Sequence, residues 1–307
     1  MTPPAEIDLS LLPQLRQTAR ERKLQFIDFE SPQYPALLKE IPSPPLMLFY
    51  RGNLDLLEEP LKLALVGTRY PSSYGVFATQ KLAQALSERG VCVVSGLARG
   101  IDAAAHEAVL QNGGKTIGVL GQGFGVDMPG FQKELFFKML QKGLLLSEYW
   151  PEQGPAVWTY PKRNRIIAGL SRGTVVMEGR FESGAMITGK MAVDFNREVF
   201  ALPGLIDNEL TQGPHWLIQN GAKLVHQPSD IFEELGMKPT QTSKIENPNI
   251  PENFKKVFLA IGFEASNIED LASATKKSMP ELSHQLLHLQ LLGLIEELPG
   301  KNYRRVS

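Results

Sequence analysis

The chain has 307 residues, 43% apolar and 21% charged, a globular composition that excludes collagen-like, coiled-coil and wholly disordered readings. Thirty-two basic against thirty-three acidic side chains leave a formal charge of -1, so a polyanionic partner has to be met by a local patch and not by overall charge. No apolar run reaches the roughly 18 to 20 residues of a membrane span, and the start MTPPAEIDLS lacks a basic region before an apolar stretch. A cytoplasmic protein without a membrane partner is expected.

In chain order, residues 1–23 read as a helical segment too short to be a domain. The stretch that follows, SPQYPALLKEIPSPPLMLFYRGN, is rich in proline, which forbids a long helix and predicts an extended segment packed on the main domain. From Leu63 to Val225 one rhythm repeats: a short apolar run, a glycine-rich or polar turn, then helical spacing. Strands are predicted at Leu63–Val66, Val91–Ser95, Thr116–Leu120, Leu144–Ser147, Thr174–Met177 and Glu198–Ala201. Helices are predicted near Tyr74–Glu88, Ile101–Asn112, Gln132–Gln141, Asn164–Leu170 and Ala185–Phe195. These are stacked βα units on a largely parallel sheet, so one domain is expected over 24–236, with its ligand beyond the carboxyl ends of the strands.

Residues 237–251 are polar and punctuated by proline and read as a linker. The remainder, 252–307, is helical and ends LLHLQLLGLIEELPGKNYRRV. A helix with Leu286, Leu289 and Leu292 inward, then Gly293, a strand, a Pro-Gly turn and a second strand, would make a winged helix. From Thr240 onward acidic and basic residues balance, which favours a protein contact or an auxiliary role over a strong DNA grip.

Two turns repeat one design. VGTRYPSSYG places Gly67, Thr68 and Arg69 before a helix start, and SGLARGIDAAAH places Ser95, Gly96, Arg99 and Gly100 before another. Free N–H groups and the positive helix end make such turns anion sites, and the pair can cradle a phosphate. Asp102 is read as a helix-start residue, not a base, and His106 as a packed side chain. The most asymmetric stretch is WTYPKRNRIIAGLSRG: from Gln153 to Met177 it holds Lys162, Arg163, Arg165 and Arg172 with no acidic residue. Tyr160 and Trp158 beside those cations, with Asn164 as a two-way hydrogen-bonding group, are what stacking bases and gripping phosphates requires. Pro161 is expected to hold Tyr160 extended, ring outward. MEGRFESGAMIT puts Ser183 and Gly184 at a further helix start, with Glu178 and Glu182 read as partners of the neighbouring arginines.

Several patterns are set aside. GQGFG lacks the full dinucleotide spacing, and GAMITGKM has Met191 where a phosphate loop needs Ser or Thr. The lone Cys92 excludes an internal disulfide and a cysteine zinc site, and His284 and His288 lack a third ligand. No metal, no cofactor and no general acid–base pair is expected.

VGTRYPSSYG, SGLARGIDAAAH, GLLLSEYW, YPKRNRIIAGLS, SGAMIT, VFALPG and GPHWLIQNGAKLV, in this order, resemble the DprA (Smf) family of DNA-processing proteins over roughly Tyr34 to Leu235. The resemblance implies an α/β fold: an extended Rossmann-like, largely parallel sheet with a small C-terminal winged-helix domain. It also implies a homodimer without enzymatic activity that binds single-stranded DNA and loads the RecA recombinase in natural transformation. Carried over to this chain, Arg69, the SGLARG turn, Tyr160 and the basic residues of YPKRNR would line the DNA pocket. Departures fall at Ala185, His215 and Met128, where the family often has other residues. The competing reading is an enzyme, a nucleotide-hydrolysing relative of the lysine-decarboxylase-like Rossmann proteins; MEGRFESG lacks the glycine pair of their PGGxGT motif. A basic pocket neutralising four to six phosphates predicts a slope of log affinity on log salt of about -3 to -4.

Overall fold

The computed structural model describes residues 8–237, 252–263, 265–292 and 294–305. The chain divides into two compact units, Met1–Met237 and Lys238–Ser307.

The first unit opens with helix α1 (Leu12–Glu21), strand β1 (Phe26–Asp28), the single turn α2 (Ala36–Lys39) and β2 (Met47–Gly52). There follow β3 (Lys62–Val66), α3 (Ser73–Glu88), β4 (Cys92–Ser95), α4 (Ile101–Gln111), β5 (Thr116–Leu120), α5 (Gly130–Lys142) and β6 (Leu144–Ser147). The unit closes with α6 (Thr159–Leu170), β7 (Gly173–Val176), α7 (Gly184–Asp194), β8 (Glu198–Ala201), α8 (Gln212–Gln219), β9 (Lys223–Leu224) and α9 (Pro228–Glu234).

The strands form one sheet in the order β1-β2-β6-β5-β4-β3-β7-β8-β9. From β6 to β9 every neighbouring pair is parallel, while β2 meets β6, and β1 meets β2, antiparallel. Strands β3 to β7 are buried along their whole lengths and β8 at all but its first residue, which is why each reads as a mainly apolar run and why all six expected strands lie within one residue of their predicted bounds. One apolar layer, with Leu48, Val94 and Ile166, covers one face; a second, with Leu65, Val93 and Phe200, covers the other. Successive strands step one way from β3 to β6 and the other way from β7 to β9, so the order reverses between β3 and β7. Such a reversal opens a crevice at the carboxyl ends of the strands.

Two expectations are corrected here. The proline-rich segment is extended but also carries β1 and β2, which continue the sheet past β6; α1 lies over them, with Ala19 packed against Met47 and Phe49. The helix predicted from Asn164 starts five residues earlier, at Thr159. Pro161 is its third residue, where the missing N–H breaks no helical bond, so Tyr160 is helical and not extended.

The second unit comprises α10 (Glu252–Ala260), β10 (Ser266–Asn267), α11 (Ile268–Thr275), α12 (Met279–Leu291), β11 (Ile295–Leu298) and β12 (Asn302–Arg305). Its strands pair antiparallel in the order β10-β12-β11, and Gly300, at φ +81°, makes the turn of the wing. Leu286 and Leu289 face the core as expected, but Leu292, just past the end of α12, is 48% exposed. His288 stacks on Phe254 with ring centroids 4.5 Å apart. The linker expected over 237–251, from 238 onward, and Gly293 lie outside the described residues.

Candidate functional site

A cleft of about 820 Å³ opens at the carboxyl ends of β3, β4 and β7, where the strand order reverses. Gly67, Thr68, Arg69, Tyr160, Arg163, Asn164, Ser183 and Gly184 line it; Ser95, Gly96, Arg99, Gly100, Lys162 and Arg165 do not.

The turn after β3 is a hub of backbone bonds. The Thr68 N–H donates to Glu178 O at 2.7 Å, and Thr68 O accepts from Ile101 N at 3.2 Å. A Cβ on Gly67 would stand 2.4 Å from the Ile101 side chain, so only glycine lets α4 come this close. Arg69 and the neighbouring Tyr70 project into solvent. The Arg69 guanidinium lies over the Tyr160 ring at 5.2 Å, and that of Arg99 lies over the Tyr70 ring at 5.1 Å, giving two arginine–tyrosine stacks at the rim.

The start of α3 is not an open anion site as its sequence suggested. Ser72 Oγ accepts from Gly75 N at 3.0 Å, and the buried Glu178 carboxylate accepts from Ser72 N at 2.9 Å and from Ser72 Oγ. The protein's own carboxylate therefore occupies the place a phosphate would take. The contrast is α7. No side chain caps its start at Ser183 and Gly184, and the buried Ser183 Oγ has no partner among the described residues. Asn164 Nδ2 donates to Gly184 O at 3.2 Å and ties α6 to this end.

The turn after β4 is closed. Ser95 Oγ donates to Leu65 O at 2.6 Å, and the Asp102 carboxylate accepts from Gly96 N at 3.1 Å and Ala98 N at 3.3 Å. Burial raises the Asp102 carboxyl above its ordinary range, opposed by Arg163 and those N–H groups. Arg163 is only 4% exposed; its Nη1 donates to Gly96 O and Val119 O, and burial lowers its affinity for a proton. A Cβ on Gly96 would sit 2.4 Å from Arg163 Nη1, so this glycine makes room for the guanidinium. Gly100, at φ +86°, turns the chain into α4 in a conformation that other residues rarely adopt. His106 is packed as read: its Nδ1 lies 2.7 Å from Thr116 Oγ1, and burial lowers its pKa to about 3.

The cations of YPKRNR therefore part company. Arg163 supports the cleft floor, while Lys162 and Arg165 both pair with Glu148 on the far side of α6. Glu148 lies just outside the stretch that looked free of acid in the sequence. Lys190 of GAMITGKM sits within α7, over the rings of Phe181 and Trp216 at 5.0 and 5.3 Å, and not in a phosphate loop. Sequence reasoning passed over Tyr70 and Gly121. A Cβ on Gly121 would come 2.9 Å from the Tyr160 ring, so GQGFG serves to seat that ring; the available signal was a glycine directly after a buried strand.

Comparison with known proteins agrees along most of the chain. A family described as DNA recombination-mediator protein A matches residues 25–236, and a DprA winged helix domain matches residues 248–301. Protein Smf of Synechocystis is 36% identical across 95% of this chain and 83% of its own. DNA processing protein DprA of Streptococcus pneumoniae is 49% identical across 66% of this chain and 71% of its own. The X-ray structure of the pneumococcal DNA processing protein A superposes with a TM-score of 0.68 at 43% identity, covering 74% of this chain and 79% of that one. A Helicobacter pylori DNA processing protein A, described for its single-stranded DNA binding mode, superposes with a TM-score of 0.63 at 28% identity, covering 69% and 96%. The order of motifs, the reversed sheet with its cleft and the winged helix all agree with these matches, and the chain belongs to the DNA recombination-mediator protein A family.

Proposed function

We propose that the chain binds single-stranded DNA in the cleft at the sheet reversal and mediates recombination by loading RecA on incoming strands in natural transformation, as a cytoplasmic homodimer. The observation that carries this reading is the convergence of an exposed arginine stacked on an aromatic ring, Arg69 on Tyr160, with the uncapped start of α7 in one cleft. A phosphate fits the Gly184 N–H and the Ser183 Oγ left without a partner among the described residues, while the Ser183 N–H is spent on Arg180 O, and a base extends the stack that Tyr160 and Arg69 begin. The Helicobacter relative described as binding single strands supports the ligand class. Asp102, the buried carboxylate that lines the cleft, and Glu178, which holds Ser72 at the start of α3, are both engaged by N–H groups, so we assign the site binding and no bond-breaking step.

Unpaired cations at the cleft number fewer than the sequence promised, because Arg163 is buried and Lys162 and Arg165 are ion-paired. With about two phosphates neutralised per cleft, the slope of log affinity on log salt becomes about -1.4, shallower than the sequence alone implied. Gel-shift titrations of single-stranded against double-stranded oligonucleotides at two salt concentrations test the reading. Preference for the single strand with a shallow negative slope is expected, and equal affinity for duplex would refute it. For the homodimer, the exposed edge strand β9 offers Leu224, with Ile218 partly exposed beside it, while Leu217 is buried in its own core. Light scattering at tens of micromolar should give twice the chain mass.

A further inference from the structure

Helix α6 has two functional faces. Tyr160, Asn164 and Ile167 look into the main cleft, whereas Lys162 and Arg165, three residues apart and hence on one side of the helix, look into a second cleft of about 350 Å³. Leu15, Met47, Phe49 and Trp150 provide its apolar walls, and Ser43 stands exposed at its rim. Its polar end is unfinished. The Arg165 side chain is 9% exposed and spends Nη2 on Glu148 Oε1, yet Arg165 Nη1 is buried without a partner among the described residues. Glu148 Oε2 is likewise buried and without a hydrogen bond, with Lys162 Nζ 3.7 Å away. A buried guanidinium N–H and a buried carboxylate oxygen left open on one ion pair are costly, and such groups call for a partner.

We propose that this second cleft is a nucleobase subsite. A donor from Arg165 beside an acceptor on Glu148 matches a planar edge that carries an acceptor beside a donor, which is how nucleobases present themselves. The apolar walls suit a flat ring, and the volume is at the small end for ligand pockets, enough for one base but not for a helix or strand of a partner. Lys162, 47% exposed at the mouth, would meet the adjoining phosphate. Since Pro161 belongs to one cleft and Lys162 to the other, a strand leaving the first crosses only the opening turn of α6 to reach the second. The inference rests on the reading of the main cleft as a single-strand site and extends it to a neighbouring nucleotide.

The test uses a chain whose only tryptophan is Trp150, made by Trp158→Phe and Trp216→Phe, with a deoxycytidine 20-mer and an abasic 20-mer of equal length as probes. Trp150 fluorescence should change on saturation with the base-bearing strand and not with the abasic one. Ser43→Phe, a rim substitution that fills the cleft from outside, should weaken the base-bearing 20-mer about tenfold and the abasic strand less than twofold. Arg165→Lys, which keeps a charge for Glu148 but lacks the open N–H, should do the same provided its thermal unfolding matches the parent. If Arg69→Ala weakens binding about tenfold while Ser43→Phe and Trp150 emission leave the two probes undistinguished, the second subsite is refuted and the main cleft stands. If the parent binds neither probe, both readings fall together.

Discussion

The turns after β3 and β4 look like copies in the sequence, each a glycine, an arginine and a helix start, yet they do opposite jobs. Both turn their arginine outward over a tyrosine ring, but only Arg69 lines the cleft, and the first turn keeps its Thr68 backbone for ties to Glu178 and α4. The second is sealed by Asp102 on one side and by Arg163, borrowed from α6, on the other. What separates them is the origin of the satisfying groups. Around Gly96 and Ala98, completion by buried side chains makes scaffold, and around Thr68, completion by backbone leaves the adjoining Arg69 free to meet a ligand.

The strongest way to break this contrast is to attack the seal. Arg163→Met should cost roughly 3 to 5 kcal/mol in urea unfolding, because it strands the Gly96 and Val119 carbonyls and leaves the buried Asp102 without its cation. A loss under about 1 kcal/mol would make Arg163 a ligand group and the two turns alike. Next comes Gly100→Ala. At φ +86° a Cβ would meet Thr68 O at 2.4 Å, and a loss of roughly 2 to 3 kcal/mol is expected, felt by both turns because that carbonyl belongs to the first.

These two substitutions also mark how far the sequence could be read. The strands were legible because burial on both faces writes them as apolar runs, and the cleft because it follows from where those runs end. The burial of Arg163 was not legible, since its partners Gly96 O and Val119 O are backbone atoms brought near by other strands. Gly96 was the one trace of it, a glycine whose missing side chain makes room for the guanidinium. Glu148 was missed because it follows β6 and so fell outside the basic stretch, and α6 was shortened because Pro161 looked like a break.

A pH profile sharpens the contrast from the scaffold side. His106, on the helix that the second turn opens, titrates near 3 when folded and near 6.5 when unfolded, so its contribution to stability is whole above about 6.5 and is lost as pH falls. Between pH 6.5 and 5 that loss is roughly 2 kcal/mol. His106→Asn should flatten this part of the profile in urea titrations, and an unchanged profile would show that the imidazole already accepts a proton in the fold. The smallest structural effect belongs to the first turn. Arg69→Ala should shift stability by less than about 0.5 kcal/mol, as for an exposed side chain. It should nonetheless weaken single-strand binding about tenfold and flatten the salt slope by about 0.7. A variant that unfolds would place Arg69 with the scaffold.

The antiparallel strand β2 gives the chain a timetable. Phe49 pairs with Ser147, roughly a hundred residues downstream, so beyond its pairing with β1, β2 has no sheet to join until β6 has been made. At about 5 to 20 residues per second, the apolar pair Leu48 and Phe49 waits on the order of 5 to 20 s on a ribosome before its partner strand emerges. The prolines just ahead of it, Pro42, Pro44 and Pro45, suit that interval, since they keep the waiting segment from settling into a helix or pairing with another chain.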